Sequence, residues 1–97
     1  MAKIILDLEL REIVPGYLAN RKAELPQLAK LLAEEDFEAL REAGHKLAGT
    51  GGGYGFARTS EIGTAVCAAS KAGDAKRLKK LLSELAGYLE GLEPVYE

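Results

Sequence analysis

The chain has 97 residues, which is a usual size for one domain built around one hydrophobic core. Hydrophobic residues make up 47% and charged residues 29% of it, a composition too apolar for a disordered chain. Thirteen Lys and Arg against fifteen Asp and Glu leave a net charge of −2, and this near-balance argues against a nucleic-acid binder. We therefore expect a single domain over residues 1–97.

The first predicted long helix follows a short segment whose structure the pattern leaves open. Residues 3–7 are compatible with coil, a short helix or an extended piece, and residues 94–97 at the other end are equally ambiguous. Pro15 suits the start of this first helix, whereas Pro26 predicts a kink or a local break in its interior. Its apolar stripe has helical spacing and consists of Val14, Leu18, Leu25, Leu28 and Leu32.

The next two helices are predicted from their ends as well as from their apolar residues. Asp36 is the expected N-cap of a helix that begins at Phe37, after a short turn over residues 34–36. A third helix is predicted over residues 57–72, with Gly73 as its C-terminal stop. Its inward-facing residues are Ile62, Val66 and Ala69.

The last helix carries the clearest pattern. Asp74 can cap a helix over about residues 75–92, whose stripe is Leu78, Leu81, Leu82, Leu85, Leu89 and Leu92. Four amphipathic helices joined by short turns predict an all-α fold. We expect an antiparallel up-down-up-down four-helix bundle with short N-terminal and C-terminal extensions.

His45 is the only histidine of the chain. At 100° per residue, Leu40, Gly44 and Leu47 define the core side of the second helix, and His45 lies roughly 140° away from it. A buried structural histidine is the ordinary expectation for a lone His, but this helical phase disfavours it. We therefore expect His45 on the exposed face.

The glycines form a cluster around this histidine, with six of the eleven lying in residues 44–55. Each glycine inside a helix costs ~1 kcal/mol relative to Ala. Gly44 and Gly51 face the core, where close helix packing can explain them. Gly49 and Gly52 face outward, and an approaching partner would explain them. The cluster lacks the Lys of a P-loop and the spacing of a dinucleotide-binding loop, so neither motif is present.

The single cysteine and the lengths of the apolar runs exclude further classes of protein. Cys67 is the only cysteine, so an intramolecular disulfide and a thiolate zinc cluster are both excluded, and we expect no metal site. A small packing cysteine is the simplest interpretation of Cys67. No run approaches the ~20 apolar residues of a membrane span. A reducing, cytoplasmic compartment fits these features best.

The segment from His45 to Phe56 (HKLAGTGGGYGF) resembles the signature of bacterial histidine-containing phosphotransfer (HPt) domains. The resemblance lies in a helical histidine, an apolar residue two positions later, Gly four positions later and Gly ten positions later. The stretch Ser60-Glu61-Ile62-Gly63 also resembles a part of this family, and the similarity extends over most of the chain. The family fold is a four-helix bundle.

The resemblance implies that His45 carries a phosphoryl group between aspartates of response-regulator receiver domains, or from a hybrid histidine kinase relay. The candidate phosphate environment in this chain is Arg41, one turn before the histidine, and Lys46, which lies ~100° around the helix and is less well placed. Arg21 or Lys22 from the adjacent helix would be further cations. Partners would dock over the surface formed by Ala48, Gly49 and Gly52. Such a domain has no ATP-dependent kinase activity of its own, and the receiver supplies Mg²⁺; neither nucleic acid nor membrane is an expected partner.

Two positions depart from the family pattern. Ala48 stands where the family commonly has a Lys that supports the phosphoryl group. Cys67 stands where many members have a Glu or Gln that orients the imidazole ring, and a cysteine is a weak hydrogen-bonding group. These departures leave a second interpretation, an HPt-like module that docks receivers or a kinase without carrying phosphate. A third is a purely structural helical bundle or dimerisation unit.

Overall fold

The computed structural model describes residues 2–54 and 56–97. Most of these residues lie in four helices, as the apolar periodicity predicts. The order is β1 (Ala2–Leu6), a 3-10 helix (Leu8–Glu12), α1 (Val14–Ala33), α2 (Phe37–Gly53), α3 (Ala57–Lys71), α4 (Ala75–Gly91) and β2 (Leu92–Tyr96). The short extensions at the two ends are therefore mainly strands.

Helix α1 is continuous through Pro26. The local break that the sequence allows at this position is therefore not observed. Pro26 lacks the amide hydrogen that would reach the carbonyl of residue 22, which weakens the helix there. The apolar stripe on the opposite face, with Leu18 and Leu28 buried, holds the two halves of the helix against the core.

The predicted helix ends are confirmed by their capping contacts. The Asp36 carboxylate accepts the amide hydrogen of Ala39 at 3.1 Å, and the Asp74 carboxylate accepts that of Arg77 at 3.0 Å. Gly73 has a φ of +65°, the left-handed conformation that terminates α3. The turn between α1 and α2 instead places Glu35 at a φ of +54°, so a non-glycine residue adopts the same conformation there.

The two ends of the chain pair with each other in a two-stranded parallel sheet. Ile4 lies opposite Pro94, and Leu6 lies opposite Tyr96. The Leu6 side chain is buried and belongs to the same core as the helices. Each segment is too short to reveal a strand by periodicity alone, so only their mutual pairing decides their conformation.

The buried hydrophobic residues form one cluster to which all four helices contribute. The predicted inward residues Ile62, Val66 and Ala69 of α3 belong to it. The most deeply buried large side chains of the described residues are Phe56, Leu40, Ile62, Leu78, Leu85 and Leu89. Within residues 2–54 and 56–97, no helix is long and apolar enough to cross a membrane.

Helices α2 and α3 make the most extensive helix–helix contact of the fold. At the end of α2, the ring of Tyr54 lies 4.7 Å from that of Tyr17 on α1, centroid to centroid. The ring of Phe56 stacks on that of Tyr17 at 5.4 Å, centroid to centroid, with an interplanar angle of 13°. These aromatic contacts anchor the glycine-rich end of α2, whose own helix propensity is low.

Candidate functional site

His45 lies on the exposed surface of α2, as its helical phase predicts. Its neighbours in the sequence confirm the same phase, because Gly44 and Leu47 are buried. Within the described residues, no hydrogen bond fixes the imidazole of His45. A ring with this exposure is accessible to a partner that approaches from solvent.

The surface on the C-terminal side of His45 is almost free of side chains. Gly49 is exposed, and a methyl group added at Gly49 would have no other atom within 4 Å. A methyl group at Gly52 would meet only the Ser60 hydroxyl, at 3.7 Å. No packing requirement in the described structure therefore explains glycine at these two positions, in contrast with Gly44.

Gly44 is required by the contact between α2 and α3. A methyl group at Gly44 would lie 2.7 Å from both the Cys67 amide nitrogen and the Gly63 carbonyl oxygen. A methyl group at Gly63 would in turn lie 2.5 Å from the Ala48 amide nitrogen. Both glycines remove side chains that would separate the two backbones. The close contact fixes the turn of α2 that carries His45.

Gly51 has the same role one turn after Ala48. A methyl group at Gly51 would lie 2.9 Å from the Ser60 amide nitrogen. The Ser60 hydroxyl donates a hydrogen bond to the Ala48 carbonyl at 2.9 Å. Ala48, one of the predicted docking residues, is half-buried and lies next to this inter-helix contact. The predicted docking surface therefore has a backbone held in place by α3.

Arg41 lies one turn before His45, but its guanidinium is engaged by Glu38. Its Nε donates to Glu38 Oε2 at 3.2 Å, and a second contact joins its terminal nitrogen to Glu38 Oε1. This pairing lowers the pKa of Glu38 and raises that of Arg41, through the hydrogen bonds first and the charges second. Because Glu38 lies one turn N-terminal to Arg41, the ion pair draws the guanidinium away from His45.

Lys46 is exposed and lies beside a different feature, a pocket of about 460 Å³ between α1 and α2. Arg21 also lines this pocket, and its guanidinium binds Glu24 at 2.8 Å and lies over the Tyr17 ring. Lys46 and Arg21 therefore line the same pocket, and neither His45 nor Arg41 belongs to its lining.

Cys67, the predicted ring-orienting position, lies on α3 and is half-buried. Its amide nitrogen lies against Gly44, the residue before His45, and its thiol is close enough to Arg41 to affect the pKa of that group. Within the described residues, no hydrogen bond joins the Cys67 thiol to His45. Cys67 therefore lies next to the site, but it makes no hydrogen bond that orients the His45 ring in the described structure.

Three residues that support this site are not predicted from the sequence to do so: Glu38, Gly63 and Ser60. Glu38 could have been found from its spacing of three residues before Arg41, which brings two helical side chains together. Gly63 lies beside the inward Thr59 and Ser70 in the helical phase of α3, which marks it as a packing position. Ser60 has no such signal, because its partner is a carbonyl on another helix.

No group of three or more His, Cys, Asp and Glu that could hold a metal ion is present in residues 2–54 and 56–97. Comparisons of the chain with models of known protein families, with curated proteins and with solved structures gave no match.

Proposed function

We propose that the protein is a histidine phosphotransfer domain that accepts a phosphoryl group on His45 from a receiver-domain aspartate and passes it to another receiver. The observation that carries this proposal is an exposed histidine beside two outward glycines that have no packing role. A helix gains stability from Ala at such positions, so their retention as Gly needs another reason. Docking of a partner close to the imidazole provides one.

In the proposed reaction, a lone pair of the neutral imidazole attacks the phosphorus atom of the aspartyl phosphate. The bond from phosphorus to the carboxylate oxygen breaks, and the carboxylate leaves with the electron pair. The other ring nitrogen of His45 keeps its hydrogen. A second receiver aspartate then reverses the step, so the histidine is regenerated.

The partner would supply most of the charge stabilisation for this transfer. Phosphoryl transfer depends on positioning and on cations near the phosphoryl oxygens, and a receiver would bring Mg²⁺ with it. Arg41 lies one turn before His45 on α2, and it would have to leave Glu38 to reach a phosphoryl group on His45.

The same proposal includes an antiparallel up-down-up-down arrangement of the four helices in a cytoplasmic protein. The short connections 34–36 and 72–74 support such an arrangement, since short turns favour antiparallel neighbours. Pairing of the two chain ends supports it as well, because an even number of antiparallel helices returns the chain to its starting side.

A second candidate function is a docking module that binds receivers or a kinase without carrying phosphate. Ala48, Cys67 and the engagement of Arg41 by Glu38 favour it, because the imidazole has no orienting hydrogen bond in the described structure and the cation one turn before it is already paired. An imidazole ring that is not held in one orientation is a poorer nucleophile toward a phosphorus atom in a fixed position.

The experiment that tests the proposal incubates the protein with phosphorylated receiver domains and follows phosphate on both chains. For the carrier, we expect an acid-labile phosphate on the wild-type protein and none on His45→Gln, while both bind the receiver with Kd values within about twofold. Binding without transfer by the wild-type protein would support the docking module instead. Absence of both binding and transfer across the candidate receivers would reject both functions.

A further inference from the structure

The small sheet formed by the chain ends has two outer edges. The Glu97 amide donates to the Leu6 carbonyl at 2.9 Å, and the Leu8 amide donates to the Glu97 carbonyl at 3.1 Å. In a parallel ladder, alternate residues of each strand direct their backbone groups to the partner strand. By this alternation and the observed register, the residues that direct their backbone groups outward are Lys3 and Ile5 on β1 and Pro94 and Tyr96 on β2.

The two edges differ in their capacity to pair with another strand. Pro94 has no amide hydrogen, so the edge of β2 lacks a donor at its centre, a common protection against strand pairing. The edge of β1 contains no proline, and the backbone groups of Lys3 and Ile5 have no partner outside the β1–β2 ladder within the described residues. The 3-10 helix packs mainly against α1 and β2. The β1 edge is therefore the open one.

Exposed apolar side chains are concentrated at the same end of the molecule. Ile5 is 68% exposed, and Leu8 and Ile13 are about half exposed. These three are the exposed large hydrophobic residues of the described structure, and all lie between residues 5 and 13. Clustering of exposed apolar residues beside an open strand edge is typical of an interaction surface.

We propose that the β1 edge binds a second copy of this chain, with the two β1 strands antiparallel about a two-fold axis at Ile5. In this register, Ile5 lies opposite Ile5 of the second copy, and Lys3 lies opposite Asp7 of the second copy. Asp7 has extended backbone angles, φ −58° and ψ +134°. One oxygen of its carboxylate accepts the Glu9 amide hydrogen at 3.0 Å, and the second oxygen is the one that would face Lys3 of the second copy. The Lys3–Asp7 pair then occurs twice and the Ile5–Ile5 pair once. Cross-strand pairs of opposite charges and of apolar side chains both stabilise a sheet.

A second copy of the chain fits this edge because the paired segment is complementary to itself. An isologous two-fold contact needs one patch that complements itself, and the sequence from Lys3 to Asp7 does so in charge and apolar character. The result would be a four-stranded sheet in the order β2, β1, β1, β2, with Pro94 in both outer strands. Growth beyond a dimer would therefore be blocked.

The imidazole of His45 lies away from this end of the fold. Tyr54 contacts Tyr17 near the beginning of α1. His45 precedes Tyr54 by nine residues, so the two residues are about 13 Å apart along α2. The dimer proposal does not depend on the proposed function, and His45→Gln would leave the association unchanged.

The test is sedimentation equilibrium of the 97-residue chain over a concentration series up to about 1 mM, which covers weak specific association. We expect the molar mass to rise from 10.4 kDa toward twice that value. Lys3→Glu and Asp7→Lys should each weaken the dimer by roughly tenfold, because each places like charges opposite one another at two positions. The variant with both changes should regain the wild-type Kd within about threefold.

A backbone variant provides a second measurement. Ile5→Pro removes an outward amide hydrogen and leaves the groups that pair with β2, so it should be monomeric while its circular dichroism remains that of the wild type. A monomeric wild-type chain over the whole series would overturn the proposal. So would dimerisation of Lys3→Glu or of Ile5→Pro with the wild-type Kd, since the contact would then lie elsewhere.

Discussion

Gly44 and Gly49 lie on the same helix and have opposite surroundings. Gly44 fits against the backbone of α3, whereas Gly49 faces open space. The helical phase predicts this difference from the sequence. It does not predict that Gly63 meets Gly44 from the other helix, because the relative height of two helices depends on the turn and on all the side chains between them. A methyl group added at Gly44 and one added at Gly49 should therefore change the free energy of unfolding in opposite directions.

We expect Gly44→Ala to lower the free energy of unfolding by about 1–3 kcal/mol, because its methyl group would overlap backbone atoms that cannot move independently. Gly49→Ala should raise that free energy by up to about 1 kcal/mol, because Ala favours the helix and meets no other atom. Urea denaturation of both variants checks this. Equal shifts would mean that α2 and α3 separate easily at Gly44.

At the scale of the helix, α1 contains the clearest conflict between a local preference and the fold. Pro26 would end most isolated helices, yet α1 continues to Ala33. The sequence predicts a kink or a local break at this position, whereas the continuity of the helix is decided by the core that its apolar stripe meets. By contrast, the Asp36 and Asp74 caps are local, so the sequence alone is sufficient for them.

Pro26→Ala should raise the free energy of unfolding by about 1–3 kcal/mol, since it restores an amide donor inside the helix. Pro26 is exposed, so the change removes little core packing. Pro15→Ala is the matched control, because Pro15 is also exposed and lies in the first turn of α1, where its missing amide hydrogen costs little. Thermal unfolding should give a higher Tm for the first variant only. A similar rise for both would show that the helix interior is not the cause.

For the whole molecule, the pairing of β1 with β2 is the feature that joins residues farthest apart in the sequence. It buries Leu6 in the core that the helices share, and it brings the first and last described residues to one end of the fold. Such a contact reduces the freedom of both chain ends only once the helices are assembled. The sheet is therefore a consequence of the tertiary fold.

Leu6→Ala should lower the free energy of unfolding by about 2–4 kcal/mol, because it removes a side chain that is 5% exposed. Leu8→Ala, where the side chain is 48% exposed, should change it by less than about 1 kcal/mol. Both are measured by urea denaturation at low protein concentration, where association contributes little. A small effect at Leu6 would show that the sheet detaches without disturbing the helical core.

Local sequence is sufficient to predict the four helices, the side-chain caps of α2 and α4, the exposure of His45 and the different surroundings of the outward and inward glycines. All of these follow from helical periodicity or from contacts within a few residues, which the chain encodes locally. Packing between elements instead determines the parallel pairing of the two ends and the contact of Gly44 with Gly63. These depend on how the helices pack, since each joins groups from different elements whose mutual positions no local pattern specifies.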